Sequence, residues 1–100
     1  MRAIYKYVLQ PRTTQTLQVK PLGNLPFKEQ VLKVATQDER VCVWCLVDQA
    51  QPEREVGIAI VGTGQMLPDY IQKENYVDTV MLAGGVLVFH AFVIPEVQSH

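Results

Sequence analysis

The sequence predicts an all-β protein with one short helix, built as an antiparallel β-sandwich or small barrel of about six to seven strands. Three observations lead there. Short runs of β-branched, aromatic and alternating apolar residues recur along the 100-residue chain. Each run is closed by proline, glycine or small polar residues, the punctuation expected between strands. No strand–helix–strand alternation appears that would build a parallel sheet. The second half is clearest: residues 54–64 and 76–94 read as three strands, interrupted by Gly62-Thr63-Gly64 and by Gly84-Gly85.

Taken in order, residues 3–9 alternate, with Ala3, Tyr5, Tyr7 and Leu9 on one face and Ile4, Lys6 and Val8 on the other. Gln10-Pro11-Arg12-Thr13 ends that strand. Residues 14–20 form a half-exposed strand with Leu17 and Val19 inward. Residues 21–27 hold two prolines, a glycine and an asparagine, and read as a loop. Residues 29–36 fit a strand, with a short helix over 27–33 as the alternative; Gln37-Asp38-Glu39-Arg40 then turns into the next strand. Residues 41–48 are apolar on both faces, which predicts a central strand. Residues 54–61 set Val56, Ile58 and Ile60 on one face and the small Gly57 and Ala59 on the other. Met66-Leu67-Pro68-Asp69-Tyr70-Ile71-Gln72-Lys73 places a proline at a first helical position and predicts the short helix there. Strands over 76–82 and 86–94 flank the hairpin Ala83-Gly84-Gly85, and residues 96–100 are expected to fray. The expected core is Ile4, Tyr7, Leu17, Val34, Val43, Trp44, Leu46, Ile58, Ile60, Val80, Leu82, Val88, Phe89 and Phe92.

One hundred residues make one domain with a single modest core. Hydrophobic residues are 48% and charged residues 19%, a balance that points mildly to a homo-oligomer. Net charge is −1, and the nine basic residues are dispersed, so no nucleic-acid partner is expected; only convergence of distant residues in the fold would make a basic footprint. No apolar run approaches the ~20 residues that cross a bilayer, and the opening residues lack an uninterrupted apolar signal segment. The expectation is a cytoplasmic protein that makes no membrane contact.

Cys42 and Cys45 have C-x-x-C spacing, but the run Val41-Cys42-Val43-Trp44-Cys45-Leu46-Val47 is a strand. Positions i and i+3 of a strand face opposite ways, so the two sulfurs neither pair nor share a metal. Two buried reduced thiols suit the cytosol.

Catalytic chemistry has little to build on. The histidines are His90 and the terminal His100. His90 lies between Phe89 and Ala91, where a neutral, hydrogen-bonded sheet histidine is the plain reading and a ligand contact the sharper one. Neither histidine has a second ligand at metal spacing. The carboxylate pairs Asp38/Glu39, Glu53/Glu55 and Glu74/Asp78 fall in turns or at strand ends, where solvated charges are ordinary. No enzyme, cofactor or metal is expected.

Gly62-Thr63-Gly64 follows a strand, as a phosphate loop does, but matches neither G-x-x-x-x-G-K-[ST] nor G-x-G-x-x-G. Two glycines around a threonine can aim successive N–H groups one way, forming an anion nest with a hydroxyl beside it; equally, they can simply turn the chain. Tyr5, Tyr7, Tyr70 and Tyr76 offer rings for stacking, while Trp44 is expected in the core or with its indole N–H in a shallow pocket.

Four blocks, Ile4-Tyr5-Lys6-Tyr7, Val43-Trp44-Cys45-Leu46-Val47-Asp48, Ile60-Val61-Gly62-Thr63-Gly64 and Leu82-Ala83-Gly84-Gly85-Val86-Leu87-Val88-Phe89-His90, resemble a family of small uncharacterised β-proteins of phages and bacterial prophages. The resemblance covers nearly the whole chain. Its strongest parts are V-G-T-G and L-A-G-G-x-L-V-F-H. Family members tend to be shorter between Thr13 and Val31, so Pro21-Leu22-Gly23-Asn24-Leu25-Pro26 looks like an elaboration. The resemblance brings no catalytic residues. It implies a phage or prophage accessory protein that binds rather than catalyses. Together with the residues above, it gives the expectation of a small anionic, nucleotide-like ligand, such as an immune signal of the host. Gly62, Thr63 and Gly64 would hold phosphate, Arg54 (or Arg40) would add charge, and Tyr70 or His90 would face base or sugar. The alternatives are a protein–protein inhibitor of a host defence enzyme and a minor virion component.

Overall fold

Seven strands fill most of the chain in a computed structural model that describes residues 1–11 and 13–95: β1 Arg2–Leu9, β2 Thr14–Val19, β3 Val31–Gln37, β4 Arg40–Asp48, β5 Arg54–Gly62, β6 Tyr76–Leu82 and β7 Leu87–Val93. Arg12, the 96–100 tail and with it His100 lie outside the described residues. The strands form two antiparallel sheets in a sandwich-like arrangement, one of three strands in the order β1-β4-β3 and one of four in the order β2-β5-β7-β6. The apolar 41–48 run is indeed central to its sheet.

Alternation decides what goes inside. Val41, Val43, Cys45 and Val47 of β4 join Val56, Ile58 and Ile60 of β5 and Phe89, Ala91 and Val93 of β7 in one buried cluster. Of the expected core, Val34, Val43, Ile58, Ile60, Val80 and Phe89 are fully inside. Tyr7, Leu17 and Leu82 pack against the cluster from partly buried positions. Ile4 is corrected: it shares the phase of Lys6, points away from the core and is 62% exposed. Trp44, Leu46, Val88 and Phe92 are also out of phase with the inward rows and are only partly buried.

The expected helix over 66–73 does not form. That stretch is a run of turns ending in a 3-10 turn at Lys73–Asn75. The short helix is instead α1, Phe27–Gln30, after Pro26 and directly before β3. Burial explains the exchange: Phe27 is 2% exposed beneath the core, whereas Met66 is 94% exposed and offers no apolar face to cover. Gln30, also in α1, is completely buried. Its Nε2 donates to Lys20 O at 2.9 Å and Leu46 O at 3.1 Å, and its Oε1 accepts from Arg54 Nη2 at 3.4 Å. One amide thereby ties Lys20 just after β2, Leu46 of β4 and Arg54 at the start of β5 to α1.

β3 and β4 are joined by Asp38-Glu39, both with positive φ (52° and 61°), as the tight hairpin twist demands. β3 also runs beside β6 of the other sheet, where the Val34 N–H donates to Asp78 Oδ2 at 3.4 Å. The connection from Thr63 to Asn75 carries the chain past β7, so that β5 and β6 lie on either side of it.

Two stability outcomes follow from these contacts. Gln30→Leu strands two buried carbonyls and should lower unfolding free energy by about 2–4 kcal/mol in urea titrations. Glu39→Gly relieves left-handed strain at some cost in chain entropy and should raise it by about 0.5–1 kcal/mol.

Candidate functional site

The end of β5 builds the site. Gly62 is the last residue of the strand and opposes Phe89 of β7. A Cβ there would sit 3.0 Å from Gln65 Oε1, so any larger residue would push the Gln65 side chain back from this close approach. The loop is clipped twice: the Gly62 N–H donates to Gln65 Oε1, and the Gln65 N–H donates to Gly62 O at 3.0 Å. The Thr63 N–H donates to Val88 O at 3.2 Å, extending the strand pairing by one residue. Gly64 follows with φ +89°, exposed and with open space around it.

These pairings change the expected chemistry. The amides of Gly62 and Thr63 are spent on the fold, so they do not form an anion nest. What the loop presents outward is the Thr63 hydroxyl. It lies 2.8 Å from His90 Nε2. On the other side of the imidazole, Nδ1 is 3.0 Å from Thr79 Oγ1, and that oxygen is 2.6 Å from Tyr76 Oη. Register explains the line-up: His90 opposes Val61 on β5 and Thr79 on β6, one row of the four-stranded sheet's outer face.

The four groups form a directional chain. With the proton on Nε2, His90 donates to Thr63, and Nδ1 accepts from Thr79, which accepts from Tyr76. With the proton on Nδ1, every bond reverses. An incoming acceptor or donor at Thr63 can therefore be answered by a shift along the row. The row holds no carboxylate orienting His90 and so is not a hydrolytic triad.

Beside it lies an open hollow of about 650 Å³, lined by residues 62–65 and 86–89. None of those side chains is charged, and Val86 at its rim is 80% exposed. Among the described residues no group of three or more His, Cys, Asp or Glu is placed to hold a metal ion.

Of the residues expected at the site, Gly62, Thr63, Gly64 and His90 come together. Arg54 does not. It starts β5, opposite Val19, and its guanidinium donates to Leu25 O at 3.1 Å. Eight residues of extended strand, about 26 Å, separate it from Gly62. Tyr70 lies in the Thr63–Asn75 connection and is 56% exposed, while its neighbour Ile71 is the buried anchor of that segment. Arg40 sits at the start of β4, in the other sheet. Gln65 and Thr79 lie outside the sequence-based expectations, and Tyr76, expected as a stacking ring, contributes its hydroxyl instead; only the pairing of β6 with β7 places Thr79 and Tyr76 beside His90, while Gln65 clips Gly62 from three residues on.

Both cysteines are free and buried, on opposite faces of β4. Burial pushes the Cys45 thiol up from 9.0 to about 12.

The chain is thus a two-sheet antiparallel β-protein with an uncharged hollow whose Thr63 hydroxyl is backed by the His90 imidazole. It belongs to the family described as "Domain of unknown function (DUF7352)", which matches residues 1–100. No curated protein and no solved structure matches it. No helix among the described residues is long and apolar enough to cross a membrane.

The Cys45 environment gives a pH outcome. The folded state keeps its proton to higher pH than the unfolded chain does, so this contribution to stability is fully present below pH 9 and is lost as pH rises towards about 12. Unfolding midpoints measured from pH 8 to 11 should fall, and Cys45→Ala should flatten the decline.

Proposed function

We propose that this chain is a non-catalytic binding module that sequesters a small, nucleotide-like ligand in the hollow beside Gly62–Gln65. The observation that carries the reading is the hydrogen-bonded row Thr63–His90–Thr79–Tyr76 next to an open, uncharged hollow. Hydroxyls and an imidazole that can donate or accept suit sugar hydroxyls and base edges. The exposed apolar rim at Val86 suits a ring face. The anionic part of such a ligand would stay at the solvent-facing mouth, since the lining supplies no cation.

The phage or prophage setting rests on the resemblance of the V-G-T-G and L-A-G-G-x-L-V-F-H blocks. In that setting, capture of a nucleotide immune signal in the host cytoplasm gives a binder without catalysis a purpose. A homo-oligomer would deepen the hollow by closing its mouth with a neighbouring copy.

The experiment is a thermal-shift screen against cyclic dinucleotides, ADP-ribose derivatives and mononucleotides. A ligand that binds only the folded state, at a hundred times its Kd, adds about 2.7 kcal/mol and raises the melting temperature by several degrees. Thr63→Val and His90→Phe should each weaken that binding by about tenfold, one lost hydrogen bond apiece. No shift from any nucleotide at millimolar concentration would end the proposal.

A further inference from the structure

The opposite face of the sandwich carries a second arrangement that the row of His90 does not use. Strand alternation turns Arg40, Cys42, Trp44, Leu46 and Asp48 of β4 away from the core. Trp44, the sole tryptophan, is at the centre of that row. Lys6 of β1 opposes it on one side and Lys33 of β3 on the other. A partly exposed indole therefore lies between two ammonium groups, each carried one strand away, about 4.8 Å along the hydrogen-bonding direction. Ile4, 62% exposed, and Val8, 44% exposed, border the row on β1.

Charge on this face departs from the chain as a whole. Net charge of the protein is −1. Yet Arg2, Lys6, Lys33 and Arg40 share the outward phase of the three-stranded sheet with a single carboxylate, Asp48. That carboxylate is already engaged, 3.0 Å from the Met1 ammonium and 3.0 Å from the Ala50 N–H. Lys6 Nζ donates to the neutral Gln37 Oε1 at 2.7 Å, which orders the side chain without cancelling its charge. Glu39, at the hairpin tip, instead accepts from the Ala83 N–H in the turn between β6 and β7.

We infer that this face binds single-stranded nucleic acid, with a base stacked on Trp44 and the phosphates on either side of it held by Lys6 and Lys33. Aromatic stacking flanked by cations is the general means by which sheets grip single strands without reading sequence. The order along the row, cation–ring–cation, matches the order phosphate–base–phosphate. A second copy of this chain fits worse: laying the face on itself about Trp44 sets lysine against lysine, whichever way the strands run. Duplex fits worse too, because its bases are already stacked and cannot meet the indole.

Trp44 gives a direct signal, since it is the only tryptophan. The protein is titrated at 50 mM salt with a twenty-nucleotide oligo-dT and with oligo-U, following tryptophan fluorescence, and in parallel with a duplex of equal length and with poly-glutamate. The expected result is saturable quenching by the single strands, at least tenfold tighter than by duplex or poly-glutamate, and weakening steeply with salt. Lys6→Glu and Lys33→Glu, both at exposed positions, should each reduce affinity at least tenfold with an unchanged circular dichroism spectrum. Lys73→Glu, at the 3-10 turn before β6, should leave it unaltered. No quenching by either single strand, equal binding of duplex, equal or tighter binding of poly-glutamate (which would mark an acidic protein surface as the partner), or indifference to both lysine reversals would each overturn the inference.

Discussion

Two-residue alternation on β4 and β5 is the constraint on which the molecule depends. Each sheet has one face that must be dry, and the inward rows Val41, Val43, Cys45, Val47 and Val56, Ile58, Ile60 meet that demand with branched or compact side chains. A slip of one residue in β4 would drive Trp44 inward, and one in β5 would drive Glu55 inward, each exposing apolar residues of the core. Register is therefore fixed by the core, and with it both outer rows. The line of hydroxyls through His90 and the line of charge through Trp44 are by-products of the same requirement. Gln30 adds a polar lock: as a fully buried amide serving two backbone carbonyls, it tolerates no displacement of α1 relative to β4.

Much of the fold was legible in the sequence because strand signals here are local. Residues 76–82 carry the β6 signal, the doubly apolar 41–48 run announces a central strand, and the hairpin after Gln37 is placed by its polar turn. Residues 27–33 and 66–73 both admit a short helix in sequence, the latter with Pro68 at its first turn. Only tertiary burial distinguishes them, since Phe27 finds the core and Met66 does not. Ile4 is apolar by type but shares the outward phase of Lys6, and phase decides its exposure.

The sites were less legible, for a related reason. Gly62, Thr63 and His90 could be singled out by residue type. Their partners could not, because Thr79 meets His90 only through the β6–β7 pairing. The same holds for Lys6 and Lys33, far apart in sequence and brought to one tryptophan by β4 lying between β1 and β3. Composition showed nine scattered basic residues; the sheet order is what collects four of them on one side. The closed amides of Gly62 and Thr63 illustrate the opposite case. A glycine–threonine–glycine motif signals where backbone can approach something, and here that something is Gln65 and Val88 of the same chain.

The strand order has a consequence for biosynthesis. β1 waits for β4, and β2 waits for β5, so neither of the first two strands has its partner when it leaves the ribosome. The three-stranded sheet can close once Asp48 has emerged, but the four-stranded sheet needs β7, which is synthesised last and lies between β5 and β6. Nascent chain of this kind stays open for most of its synthesis, and its apolar edge strands are unprotected during that interval. A late-arriving central strand thus sets when the polypeptide first becomes a finished object.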